Sequence, residues 1–129
     1  MEEPLKILVV DDDEVDRMAV RRALMASGLR VELAEACSCA EAIATLTAHP
    51  FNCAFLDYRL PDGDGLALVK RIREEGIEFP LIVLTGQGDE QIAVELMKAG
   101  ATDYLSKANI SPGRLAKLLL NAMRVHQAE

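Results

Sequence analysis

Lys6–Asp16 reads KILVVDDDEVD. Ile7 to Val10 is apolar without alternation, the pattern of a strand buried on both faces of a sheet. The run breaks off into Asp11, Asp12 and Asp13. Adjacent carboxylates repel and gain nothing from packing, so they are either solvated turn residues or neighbours of something positive. A helical pattern follows from Glu14 to Ser27. It places Val15, Met18, Arg22 and Met25 along one side, Ala19, Leu24 and Ala26 near it, and Gly28 at the stop.

The same alternation continues outward. Val31 to Ala36 alternates apolar and polar, a strand exposed on one face. Ser38-Cys39-Ala40-Glu41 has the form of a capping box, and a helix runs on through Ile43 and Leu46 to about Ala48. Asn52 to Leu56 reads as a third strand ending in Asp57. The loop from Tyr58 to Gly65 is dense in turn residues, and Leu66, Val69 and Ile72 share the face of the next helix. Pro80 to Thr85 is a fourth, continuous apolar strand. After Gly86-Gln87-Gly88, Asp89 to Ala99 reads as a helix stopped by Gly100, and Ala101 to Ser106 as a fifth strand. Ser111-Pro112 opens a last helix with a core stripe at Leu115, Leu118, Leu119, Ala122 and Met123. This is a (βα)5 pattern, which implies a doubly wound five-stranded parallel sheet with helices on both faces and right-handed crossovers. In such sheets ligands sit beyond the carboxyl ends of the strands, at the switch in strand order.

Composition bounds the function. A chain of 129 residues suits one domain, taken as 1–129. Its 21 acids against 14 bases, net −7, argue against a nucleic-acid partner gripped through a basic surface. No apolar run approaches a membrane span, and MEEPLK lacks a signal peptide's basic start and apolar core. Cys37, Cys39 and Cys53 are odd in number and sit among apolar or small residues, so buried thiols in a cytoplasmic protein are expected. Asp62-Gly63-Asp64-Gly65 lacks the further acids of a calcium loop, and Gly86-x-Gly88 lacks the third glycine of a dinucleotide loop. His49 and His126 read as surface residues, and Met97 and Met123 as core or interface.

The strand ends carry the chemistry. The first ends in Asp11-Asp12-Asp13, the third in Asp57, the fourth in Thr85 and the fifth in Lys107; the second offers nothing obvious. Taken singly, each is a common turn, cap or surface residue. Converging on one rim, they form a set. Clustered carboxylates suit a hard cation such as Mg2+, which also explains the like charge after Val10. A further carboxylate beside that metal can act as a nucleophile toward phosphorus, with a lysine pairing the phosphoryl oxygens and a threonine donating a hydrogen bond.

With these residues in place, the chain resembles the receiver domain of two-component response regulators. The motifs are ILVVDDD, FLDYRLPDGDG, VLTGQGD and DYLSK, in order across nearly the whole chain. The resemblance implies the flavodoxin-like strand order 2-1-3-4-5. It implies Asp57 as phosphoacceptor, Asp11 and Asp12 as the metal-binding pair, Asp13 as a helix-start residue, and the backbone carbonyl of Arg59 as a third protein ligand to Mg2+. Thr85 and Lys107 would bind the phosphoryl group. Thr85 and Tyr104 would form the switch, moving the face made by the fourth helix, fifth strand and fifth helix, Asp89 to about His126. The phosphoryl donor would be a histidine kinase or a phosphotransfer protein, and the output a downstream protein target, with the same face available for a homodimer.

Two departures from the family stand out. The family's proline after the lysine is replaced in Lys107-Ala108, so a trans bond is open there. Arg59 and Gln87 occupy positions that in the family influence phosphate loss; Arg59 can screen the acyl phosphate or pair with a nearby acid. No DNA-binding or enzymatic segment follows the fifth helix, so a stand-alone receiver, catalysing only its own phosphorylation and dephosphorylation, is the expectation. The competing readings are a Mg2+-dependent phosphatase or phosphotransferase with an Asp nucleophile, against which Arg59 stands where a second acid belongs, and a receiver-like module that is never phosphorylated.

Overall fold

The computed structural model describes residues 3–127, so the start of the MEEPLK segment lies outside the described residues, as does the side chain of His126. Five strands, β1 (Leu5–Val10), β2 (Val31–Ala36), β3 (Cys53–Asp57), β4 (Leu81–Thr85) and β5 (Asp103–Ser106), form one parallel sheet in the order β2-β1-β3-β4-β5. The helices are α1 (Glu14–Met25), α2 (Cys39–Ala48), α3 (Gly65–Glu74), α4 (Ala93–Ala99) and α5 (Pro112–Gln127). This is the doubly wound arrangement expected from the alternation, in the flavodoxin-like strand order that the resemblance implies. The switch in strand order falls between β1 and β3.

Strand alternation sorts the core into two layers. Ile7, Val9, Cys53, Phe55, Ile82 and Leu84 face α1 and α5, meeting Val20, Leu24, Leu115 and Leu119. Leu8, Val10, Ala54, Leu56, Leu81 and Val83 face the other side, meeting Leu46, Leu68, Ile72 and Leu96. Because β1, β3 and β4 are covered on both faces, their runs need no polar residue until the edge, where Asp11, Asp57 and Thr85 appear. Each fully buried aliphatic or Phe side chain stabilises by about 1.5–3 kcal/mol.

Several expectations are corrected. The α1 stripe of Val15 and Met25 faces out, at 72% and 58% exposed; the buried residues are Val20, Ala23 and Leu24. With this rotation Arg17 and Arg21 both reach Glu35 on β2, at 2.8 and 2.9 Å. The thiols do not share one environment: Cys53 is buried, Cys39 intermediate and Cys37 exposed. Asp89 does not begin an α-helix; a 3-10 turn, Glu90–Ile92, precedes α4. Asn52 and Ala101 lie just outside their strands. The β3–α3 loop also holds an unanticipated hairpin, Arg59–Leu60 paired antiparallel with Gly63–Asp64.

The turn acids of that loop are helix caps. Asp64 accepts from the Ala67 amide at 2.8 Å, and Asp62 accepts from the amides of Cys39 and Ala40 at 2.7 and 3.0 Å, capping α2 from 22–23 residues away. Ser38 caps α2 as expected, accepting from Glu41 at 3.1 Å. At the opposite edge of the sheet Arg73 acts as a staple. Its guanidinium donates to the carbonyls of Ile77 and Phe79, both at 2.9 Å, and to Gly100 at 3.0 and 2.8 Å. It ties the end of α3 to the entry of β4 and the end of α4. Hydrogen bonds from a charged donor contribute roughly 1.5–3 kcal/mol each, partly recovered by water after truncation. Arg73→Ala is therefore expected to lower the unfolding free energy by about 2–3 kcal/mol, read from urea midpoints at constant slope.

Candidate functional site

The carboxyl edge beyond β1 and β3 carries the acids. Asp11 directly follows β1, its amide donating to Ala36 at 3.0 Å, and its side chain is 1% exposed. Asp57 is the last residue of β3 and is also buried; Asp12 is exposed. Each of the three offers an oxygen, and these oxygens lie within 4.8 Å of one another. Asp13 is spent locally, as expected: it caps α1, accepting from the Val15 amide at 2.8 Å.

Lys107, just past β5, reaches across to this cluster. Its Nζ donates to Asp11 Oδ2 at 2.9 Å and to Asp16 Oδ2 at 2.7 Å, and lies 3.1 Å from Asp57 Oδ1. Burial alone would lower the Lys107 pKa, but the bonds to Asp16 and Asp11 and the charge of Asp57 override it and hold the ammonium above its ordinary range. For Asp57, burial and then the charge of Asp11 push the pKa up to about 6 against the opposing pull of Lys107. Hard oxygens gathered this closely suit a divalent cation that keeps part of its water shell.

The raised Asp57 pKa has a sign that can be tested. The folded state holds this proton more tightly than the unfolded chain, whose reference is 3.8. The associated stability is present in full below that reference and is lost as pH rises through about 6. Metal-free protein in chelator should therefore lose stability between these values, and Asp57→Asn should flatten that part of the melting-temperature profile.

Thr85 ends β4 and is 2% exposed. The Tyr58 amide, just after Asp57, donates to the Leu84 carbonyl at 2.9 Å, so the ends of β3 and β4 are locked in register. Val83 pairs with Tyr104 and Thr85 with Ser106, which puts Thr85 and Tyr104 on one sheet face on neighbouring strands. Tyr104 is 42% exposed, at the surface and not in the core. No peptide bond among the described residues is cis, and the chain after Lys107 turns through a 3-10 segment, Lys107–Asn109, with Ser106 accepting from the Ala108 amide at 3.3 Å.

In the unphosphorylated chain the Arg59 side chain takes an acid partner. It pairs with Asp89 through two bonds, Nε at 3.0 Å and Nη2 at 2.6 Å, while its own amide lies 3.3 Å from Asp57 Oδ1. Asp89 and Asp16 are the residues of this edge that sequence reasoning did not single out. Asp16 had a local signal: it stands three residues past the Asp13 cap, in the first turn of α1. Asp89 had none beyond its place four residues after Thr85. His49 is exposed, as expected. Burial, with the charges of Asp62 and Asp64, pushes the Cys39 thiol up to about 11, which makes it a poor nucleophile.

Comparison with known proteins bears on this edge. The family model of the response regulator receiver domain matches residues 7–120. The chain is 42% identical over 115 residues to the photosynthetic apparatus regulatory protein RegA of Rhodovulum sulfidophilum, covering 89% of this chain and 62% of RegA. It is 38% identical over 126 residues to the transcriptional regulatory protein FixJ of Bradyrhizobium diazoefficiens, covering 95% of this chain and 58% of FixJ. The chain thus spans about three fifths of these curated relatives. Among solved structures, a putative response regulator from Chloroflexus aurantiacus superimposes with a TM-score of 0.85 at 31% identity, covering 95% of this chain and 99% of that one.

Proposed function

The chain belongs to the response regulator receiver domain family, and we propose that it accepts a phosphoryl group on Asp57 from a histidine kinase or a phosphotransfer protein. One observation carries the reading: a buried Asp57 carboxylate beside Asp11 and Asp12, with the Lys107 ammonium 3.1 Å from its Oδ1. An Asp57 oxygen attacks phosphorus, the P–N bond to the donor imidazole breaks, and the bonding pair leaves with the imidazole. Only the ionised carboxylate is a nucleophile, so the reaction runs on the fraction of Asp57 that has lost its proton. Lys107 pairs with the transferred phosphoryl oxygens, and the Thr85 hydroxyl donates to them. Asp11, Asp12, Asp57 and the Arg59 carbonyl would hold Mg2+, which when bound neutralises charge on the phosphoryl oxygens.

In this reading Thr85 moves toward the phosphoryl group and Tyr104, on the same sheet face, rotates into the space behind it. The face formed by α4, β5 and α5 then repacks for a downstream protein partner or a second copy of the chain. The chain acts as one receiver domain, cytoplasmic, without nucleic-acid contact of its own, and its chemistry is confined to gaining and losing its own phosphoryl group. Among the described residues no helix is long and apolar enough to cross a membrane.

The test is intact-mass spectrometry after incubation with Mg2+ and acetyl phosphate, beside Asp57→Asn. One phosphate on the wild type and none on the variant is the expected result. An unmodified wild type under every donor would favour a module that works without phosphorylation.

A further inference from the structure

Asp89 stands apart from the acid cluster and is nevertheless 3% exposed. Among the described residues, its two carboxylate oxygens are held by one side chain, Arg59, which is itself 74% exposed. A buried carboxylate thus depends on a partner that is free to leave. The backbone of Asp89 organises the link from Thr85 to α4: its amide donates to Gly86 at 3.2 Å, and its carbonyl accepts from Ile92 at 3.1 Å. The Arg59–Asp89 pair therefore joins the loop after β3 to the loop after β4, across the mouth of the site.

Arg59 also touches Asp57, through its backbone. Its amide is 3.3 Å from Asp57 Oδ1. The bonds and charge of Asp89 come first in holding the Arg59 pKa above its ordinary value, and the charge of Asp57 adds to them. The guanidinium already lies within that field. Adding a phosphoryl group to Asp57 replaces one carboxylate with a group of about −1.5 to −2 charge and several acceptor oxygens arranged for a guanidinium fork.

We propose that Arg59 and Asp89 form a charge latch: the phosphoryl group on Asp57 draws Arg59 away from Asp89, and the unpaired Asp89 carboxylate drives the 86–92 segment out toward water. A buried carboxylate without a partner is not sustained, so it moves to solvent. Gly86 and Gly88 flank the turn and let it open, Gly88 already at φ +89°. The amino end of α4 is then released by loss of an ion pair, separately from any movement of Thr85. Asp89 acts as a positioning residue that holds Arg59 off the phosphoryl site until that site is filled. The inference rests on Asp57 as phosphoacceptor.

The experiment uses beryllofluoride with Mg2+ as the phosphoryl mimic, on wild type, Asp89→Asn, Arg59→Gln and the double variant. Asp89→Asn should bind the mimic roughly five-fold or more tightly, because Arg59 no longer has to leave a charged partner. Arg59→Gln should bind it more weakly, and the double variant should match Arg59→Gln. Amide exchange over residues 89–93 should be slow in the free wild type and fast in both single variants. In the wild type it should become fast when the mimic binds. Equal effects of Asp89→Asn with and without Arg59, or unchanged exchange in the wild type on binding, would overturn the latch while leaving Asp57 as acceptor. Acetyl phosphate followed by mass spectrometry separates the two claims: no adduct on Asp57 would overturn both.

Discussion

Lys107→Met is expected to slow phosphoryl transfer to Asp57 by about 10²–10³-fold, the range seen when one positioned donor to a developing oxyanion is removed. Methionine keeps the length of the side chain and loses its charge, so the loss would report the ammonium. A second effect should appear in the same protein. Without Nζ, which lies 2.7–3.1 Å from oxygens of Asp16, Asp11 and Asp57, these three carboxylates lose the ammonium they share. Breaking a buried pair by deleting one partner costs roughly 3–5 kcal/mol. The lower end applies here, because Asp16 is 40% exposed and can rely on water. Removing the pull of Lys107 also lets the Asp57 pKa rise further, so the pH range over which stability falls should move upward. Melting curves in chelator at several pH values, with a phosphorylation time course followed by mass spectrometry, read both effects. A transfer rate within two-fold of wild type would mean that Lys107 does not meet the phosphoryl group.

The second large effect is expected at Gly65. A Cβ built there would lie 2.9 Å from Tyr58 Cα, 3.2 Å from Val83 Cγ1 and 3.3 Å from the Asp57 carbonyl oxygen. The nearest atom is backbone, and the Gly65 amide is bonded to Tyr58 O at 2.6 Å, so no flexible side-chain tip can yield. Gly65→Ala must shift the start of α3 or the Asp57–Tyr58 backbone. Overpacking of this kind costs about 1–3 kcal/mol, more where backbone has to move. Because the displaced backbone carries the acceptor, transfer should fall at least ten-fold alongside the loss of stability. Urea unfolding and the phosphorylation assay check both. A variant within about 0.5 kcal/mol of wild type, the usual range for a tolerated surface change, and fully active would show that α3 can back away without disturbing Asp57.

Much of this was legible in the sequence for physical reasons that can be named. Strands buried on both faces leave runs such as ILVV and LIVLT, and the first polar residue after each run falls at the sheet edge where ligands bind. Asp11, Asp57 and Thr85 could be read that way, while Lys107 follows Ser106 at the end of an edge strand and was marked only by its place just past that strand. The rotation of α1 could not, because Val15-Met18-Met25 and Val20-Ala23-Leu24 both follow helical spacing. The face that packs is the one that meets the sheet and α5, with Val20, Ala23 and Leu24 joining Ile7, Val9, Leu115 and Leu119. The partners Lys107–Asp16 and Arg59–Asp89 are 91 and 30 residues apart, and periodicity carries no information about contacts of that kind. The two readings of Arg59 stayed level for the same reason: nothing local marked Asp89 as buried.

The Arg73 staple has a mechanical consequence. It holds the Gly100 carbonyl, and the Gly100 and Ala101 amides donate to Met97 and Leu96, so the carboxyl end of α4 is bolted to the rest of the molecule. A helix of seven residues is about 10 Å long. Pinned at one end and loosened at the other, it behaves as a lever with its fulcrum at Gly100. Displacement then grows along the helix toward Ile92. A partner that grips Val94, 63% exposed near the free end, would feel a longer stroke than one that grips Met97 close to the pivot.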